Sequence, residues 1–165
     1  GVQTCALPIS ARKLPAVEFV IGGEGPLRET LERQAAGLAN VRFTGWLDRS
    51  ALIDLIDSSS VLLLPSRFET FGSIALEAMA RGRPALVSTA AGIHDWPSLR
   101  PGLLPFTPGE SLADCLRSLH AYGPGRWEQL ERRCRAAATA LNDATIAEWQ
   151  TLLSAVAGNE RREAA

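Results

Sequence analysis

VLLLPSRFETFGSIALEAMARGRPALVS, residues 61–88, sets two continuous apolar runs on either side of a helix-length segment of small and apolar residues. VLLL at 61–64 does not alternate, as expected of a strand covered on both faces in a parallel sheet, and Pro65 ends it. TFGSIALEAMARG at 70–82 reads as a crossover helix, and after Arg83-Pro84 a second apolar strand, ALVS, occupies 85–88. Strand, helix and parallel strand with a right-handed connection build an open parallel sheet, and this unit decides the fold.

The same alternation continues outward. VEFVI at 17–21 is a short β-rich run closed by Gly22 and Gly23. Pro26 suits the first turn of a helix carrying Leu27, Leu31 and Leu38 near helical spacing, with Gly37 marking its stop. VRFT at 41–44 predicts a second strand ended by Gly45, after which Asp48 or Ser50 can cap a helix bearing Leu52, Leu55 and Ile56. LLPF at 103–106 predicts a further, weaker strand. Three helices follow: SLADCLRSLHA, then RWEQLERRCRAAATAL, then an amphipathic segment with Ile146, Trp149, Leu152, Leu153 and Val156 on one stripe. The fold class is therefore α/β, a Rossmann-like open parallel sheet with helices on both faces. One domain is expected over residues 10–158. GVQTCALPI at 1–9 joins no periodic pattern and reads as a non-native leader, and 159–165 reads as a flexible tail.

Composition narrows the partners. The chain has 165 residues, 46% hydrophobic and 21% charged, with a net charge of -1. Both signs are spread along it, so there is no basic field for nucleic acid and no polybasic segment for a membrane surface. No apolar run reaches the roughly 20 residues that would span a bilayer, which makes the cytoplasm the default location. Cys5, Cys115 and Cys134 are odd in number and widely spaced, and read as free thiols. His94 and His120 stand in no Asp/Glu/His cluster at ligand spacing, so no metal site is expected.

In open parallel sheets, ligands bind beyond the carboxyl ends of the strands. The candidate turns are GGEGP at 22–26, TGW at 44–46, PSRFETFGS at 65–73 and TAAGIHD at 89–95. The third sets Glu69 in a loop and Glu77, eight positions on, inside the helix. A helix dipole favours a carboxylate in its first turns by roughly 0.3–1 kcal/mol, whereas burying one unpaired costs several kcal/mol. Glu77 therefore needs donors. The adjacent hydroxyls of a ribose are suited to the task, and Arg81 or Arg83 as an ordinary helix partner is the alternative. Glu69 has an alternative as a carboxylate at a helix start. GGEGP lacks the dinucleotide fingerprint, because Arg28 stands where its last glycine belongs.

PSRFETFGSIALEAMARGRPALVS resembles the signature of the retaining GT-B glycosyltransferases of the group 1 (family 4) type. Its hallmark is two glutamates separated by seven residues, a small-residue helix, and a G-x-P turn, here Glu69, Glu77 and Gly82-Arg83-Pro84. The likeness extends to IGGEGPLRETLE at 21–32 and NVRFTGW at 40–46, and more loosely to AGIHDW and LLPFTPGESLADCL. It implies the C-terminal, donor-binding half of a two-domain enzyme, with the acceptor bound by an N-terminal domain that this chain does not include. It implies that Glu77 binds the ribose of a nucleoside-diphosphate sugar and that Glu69, the catalytic candidate, accepts hydrogen bonds from the transferred sugar. Backbone N–H groups of Phe71, Gly72 and Ser73 would hold sugar or diphosphate, and Trp46 would contact the base. Gly22, Gly23 and Gly25 would bring the chain close to the donor. As plain turn glycines, or as a core or surface tryptophan, these four residues would look the same in sequence. Neither a metal nor another cofactor is implied.

Three departures stand out. The family's arginine and lysine for the diphosphate lie in a segment of the GRL...KG kind, and nothing before Val17 matches it. Ala91 occupies a position that is often glycine, and Asp95 one that is usually glutamate. An isolated half would be inactive, and two rival readings stay open: a donor-binding module that transfers nothing, and a Rossmann domain for a nicotinamide cofactor. Without a partner for the stripe at 146–156, self-association is expected.

Overall fold

The computed structural model describes residues 6–163, with side chains as far as residue 157. Five strands lie among the described residues, each of the first four following an α-helix and the fifth reached from the fourth through two short 3-10 turns at Gly92–Asp95 and Arg100–Gly102, and every strand pairing is parallel. In chain order the elements are α1 (Ala6–Lys13), β1 (Phe19–Gly22), α2 (Arg28–Ala35), β2 (Val41–Gly45), α3 (Arg49–Ser58) and β3 (Leu62–Leu64). They continue with α4 (Ser73–Ala80), β4 (Ala85–Ser88), β5 (Leu103–Phe106), α5 (Leu112–His120) and α6 (Pro124–Glu163). All five expected strands and the crossover helix are present. Asp48, not Ser50, caps α3, its side chain accepting from the Ala51 N–H at 2.8 Å.

β4 is the centre of the fold, with all four residues buried. Ala85 and Val87 face a core built with Ala75 and Met79 of α4 and Leu130, Cys134, Ala137 and Ala138 of α6. Leu86 faces the opposite core, with Ala11 of α1 and Leu112, Leu116 and Leu119 of α5. The period of two along an unbroken apolar strand thus serves two helical layers, the reason such a strand carries no polar face.

The expected single sheet is two hydrogen-bonded ladders, β1-β2 and β3-β4-β5. They are joined by packing: Phe19, Val41, Leu63, Leu86 and Phe106, one from each strand, share one hydrophobic cluster. Apolar runs and crossover handedness predict parallel strands, but which edges meet is set by long-range packing that the local pattern does not carry.

Three other expectations change. Residues 6–9 of the supposed leader form the first half of α1, with Pro8 buried and α1 packed on α5. Asn40 fastens that helix, its Nδ2 donating to the carbonyls of Ala11, Leu14 and Val17 at 3.0, 3.0 and 2.9 Å. The two helices expected after residue 125 are one helix of 40 residues, because Asn142-Asp143-Ala144-Thr145 contains neither Gly nor Pro to break it. Its backbone runs through Glu163, over most of the expected tail; residues 164–165, and residues 1–5 of the leader with the Cys5 thiol, lie outside the described residues. Cys115 and Cys134 are free thiols. Burial pushes the Cys134 thiol up to about 11, and it donates to the Gly102 carbonyl at 3.2 Å.

Candidate donor site at the carboxyl ends of the strands

The four candidate turns gather into two pairs. In the first, the Gly23 N–H donates to the Gly45 carbonyl at 2.8 Å, joining the loop after β1 to the loop after β2. Gly23 has a φ of +104°, whereas Gly22 and Gly25 do not enter the left-handed region. At Gly23 and at Gly25 no atom lies within 4 Å of the position a Cβ would take, so both face open space. Trp46 is 82% exposed, which removes the core reading.

The second pair is laced more tightly. Glu69 bridges Ala91 in parallel, the Gly92 N–H donates to the Glu69 carbonyl at 3.0 Å, and the Ile93 N–H to the Phe71 carbonyl at 2.9 Å. Gly92 is obligatory here: a Cβ would fall inside the van der Waals envelope of the Thr70 carbonyl oxygen. Trp96 closes the far side with an edge-on contact to Phe71, ring centroids 6.0 Å apart.

Gly72 turns the chain from this loop into α4. It is the N-cap with φ +99° and ψ 50°, a conformation that L side chains adopt at a cost of about 1–2 kcal/mol. A Cβ there would also come to 2.9 Å from Leu64 Cδ2. No side chain caps the helix, so Ser73, exposed at its first position, begins a helix whose leading N–H groups are open to an outside acceptor.

The two carboxylates sit differently from what the sequence leads one to expect. Glu69 is half-buried, and its carboxylate has no hydrogen bond or ion pair among the described residues. Glu77 is neither deeply buried nor unpaired, with its side chain 33% exposed. Its partner is not Arg81 or Arg83 but Arg49, whose Nη1 donates to Glu77 Oε2 at 2.7 Å. Arg81 is engaged by Asp57, and Arg83 by the Asp57 carbonyl and by Glu131. Both expected helix partners reach Asp57 at the other end of α3, and among the described residues the carboxylate is met only by Arg49, 28 positions away.

That ion pair links the two pairs of turns, since Arg49 opens α3 three residues after Trp46. Sequence reasoning missed it because no local spacing marks a contact between two helices. It also missed Phe68, 86% exposed beside Glu69. His94 Nε2 lies 3.3 Å from the Val87 carbonyl. No group of three or more His, Cys, Asp or Glu side chains is arranged for a metal among the described residues.

Residues 4–122 match the profile described as glycosyl transferases group 1. A GDP-mannose-dependent alpha-(1-6)-phosphatidylinositol dimannoside mannosyltransferase of Mycobacterium tuberculosis is 39% identical over 133 residues, 80% of this chain and 32% of that protein. The sulfoquinovosyl transferase SQD2 of Arabidopsis thaliana is 37% identical, over 65% of this chain and 21% of its own. The chain thus spans about a third or less of the length of these relatives. Among solved structures, Anabaena HepE in complex with UDP-glucose matches with a TM-score of 0.69 at 21% identity, over 90% of this chain and 44% of that one. Sucrose-phosphate synthase from Thermosynechococcus elongatus matches at 0.72 and 22% identity, over 93% and 43%. On the profile match and the mycobacterial relative together, the chain belongs to the glycosyl transferases group 1 family.

Proposed function

We propose that this chain is the donor-binding part of a retaining glycosyltransferase, which moves a sugar from a nucleoside diphosphate to an acceptor held by another domain. The observation that carries the reading is the placing of Glu69, the uncapped start of α4 and Trp46 on turns at the carboxyl ends of the strands, with Glu77, one turn into α4, tied by Arg49 toward the Trp46 loop. Glu77 accepts hydrogen bonds from ribose hydroxyls, and the unengaged Glu69 carboxylate accepts them from the transferred sugar. Backbone N–H groups at Phe71, Gly72 and Ser73 hold diphosphate oxygens at the positive end of α4. Trp46 covers the base, and Gly22, Gly23 and Gly25 leave room for the donor. Catalysis lies in positioning and in stabilising the leaving diphosphate, with neither a metal nor a protein nucleophile. A relative that uses GDP-mannose and a structural neighbour holding UDP-glucose make guanine and uracil the first bases to try.

The test is calorimetry of GDP, UDP, ADP and NADH against the chain and its Glu77→Ala variant. One nucleoside diphosphate binds, and the substitution weakens it by about 1–3 kcal/mol, the range for lost charge-assisted hydrogen bonds. Equal affinity in the variant sinks the ribose assignment. The competing reading is a module that binds donor without transferring sugar, and donor hydrolysis by the chain would exclude it.

A further inference from the structure

We infer that Arg49 is a positioning residue of this donor site, fixing the Glu77 carboxylate so that one oxygen is engaged by the protein and the other is presented to the ribose. The inference rests on the donor-site reading above. Four observations support it.

First, the contact is one-sided: Arg49 Nη1 reaches Glu77 Oε2, and Oε1 accepts no hydrogen bond among the described residues. An ionised carboxylate offers about four lone-pair sites, so Oε1 and the remaining site on Oε2 suffice for two adjacent hydroxyls. Second, the base of Arg49 is fixed. It is the first residue of α3, directly after an N-cap whose side chain holds the Ala51 N–H, and α3 is tied at its far end by Asp57 to Arg81 and Arg83. Third, Arg81 and Arg83, the cations that α4 and the turn after it could offer, are engaged elsewhere, so the carboxylate depends on α3 for its orientation. Fourth, the pair has little to do with holding the fold. With side chains 69% and 33% exposed, an ion pair of this kind contributes little to stability. Its effect is to choose one rotamer of Glu77 out of several, so that donor binding need not order that side chain.

The experiment measures binding of GDP and UDP, and of their 2′,3′-dideoxy analogues, to the chain and to its Arg49→Ala, Arg49→Lys and Glu77→Gln variants. For the better-bound nucleotide, Arg49→Ala is expected to weaken the ribose-bearing form about twofold to fivefold, the range for losing an exposed ion pair, and to leave the dideoxy form unchanged. Arg49→Lys recovers part of the loss, and Arg49→Ala adds nothing further in a Glu77→Gln background. Far-UV circular dichroism and melting temperature, unchanged in Arg49→Ala, separate positioning from folding. If Glu77→Gln weakens binding while Arg49→Ala does not, the inference is wrong and the donor site stands. Equal losses for the ribose and dideoxy forms also overturn it, because Arg49 then acts on the diphosphate or base. If neither nucleotide binds, or Glu77→Gln has no effect, the donor-site reading fails and takes this one with it.

Discussion

The two pairs of turns at the carboxyl ends of the strands do the same topological job with opposite construction. Between the loops after β3 and β4, two backbone hydrogen bonds, a bridge, a Cβ-free approach at Gly92 and an aromatic contact fix the course of the chain. Between the loops after β1 and β2 there is one backbone bond, and the largest side chain, Trp46, stands in solvent. Beneath the rigid pair β4 is buried throughout, although β3, like β1 and β2, leaves residues partly exposed. In the proposed site, the rigid pair would hold the sugar and diphosphate, which demand geometry, and the open pair the base, whose flat face tolerates adjustment.

The largest expected effect breaks the rigid pair. Gly92→Ala drives a methyl group into the Thr70 carbonyl, so the two loops must separate, and we expect a loss of about 3 kcal/mol or more in urea unfolding. A smaller effect lies at the amino ends of β1 and β2, away from both pairs of turns: Asn40→Ala removes the amide that serves three carbonyls at the junction of α1 with β1 and leaves them less well satisfied. That should cost about 1–3 kcal/mol, measured in the same way. Gly23→Ala meets no atom, and only its φ of +104° opposes the change, so about 1–2 kcal/mol is expected. If Gly23→Ala were as damaging as Gly92→Ala, the two pairs would not differ in rigidity. Smallest of all, Trp46→Ala should leave stability within about 0.5 kcal/mol, since the indole is 82% exposed. A clear drop in melting temperature for that variant would mean the indole supports the open loops.

Much of the fold was legible because it is written in short-range pattern. VLLL and ALVS read as parallel strands, Gly22 and Gly45 as strand ends, Asp48 or Ser50 as a helix start and Ser111 as another, and the structure has both strands and caps its helices with Asp48 and Ser111; only ALVS is buried throughout, whereas Leu62, Leu63 and Leu64 are each partly exposed. What failed to read was long-range. The division into two ladders depends on which strand edges meet. The reading of residues 1–9 as a leader hid half of α1, whose anchor is not local but an asparagine 26 positions beyond Leu14. At the site, Glu69, Glu77 and the glycine turn into α4 were visible from spacing, but Glu77 is not the buried lone charge that its apolar helix suggests. It is partly exposed, and Arg49 answers its charge. The Gly92 approach was equally hidden, since AAGI reads as any small-residue turn.

The single helix α6 has a mechanical consequence. At about 1.5 Å per residue its 40 residues extend some 60 Å, whereas a domain of this size has a radius of gyration of about 15 Å. Leu130, Cys134, Ala137 and Ala138 are buried against the domain, whereas Ile146, Trp149, Leu152, Leu153 and Val156 are 48–61% exposed. A rod clamped along its first half and free along its second is a lever. By geometry alone, a small change of angle where Cys134 meets Gly102 displaces Val156, 22 residues or about 33 Å farther along the rod, by a much larger distance.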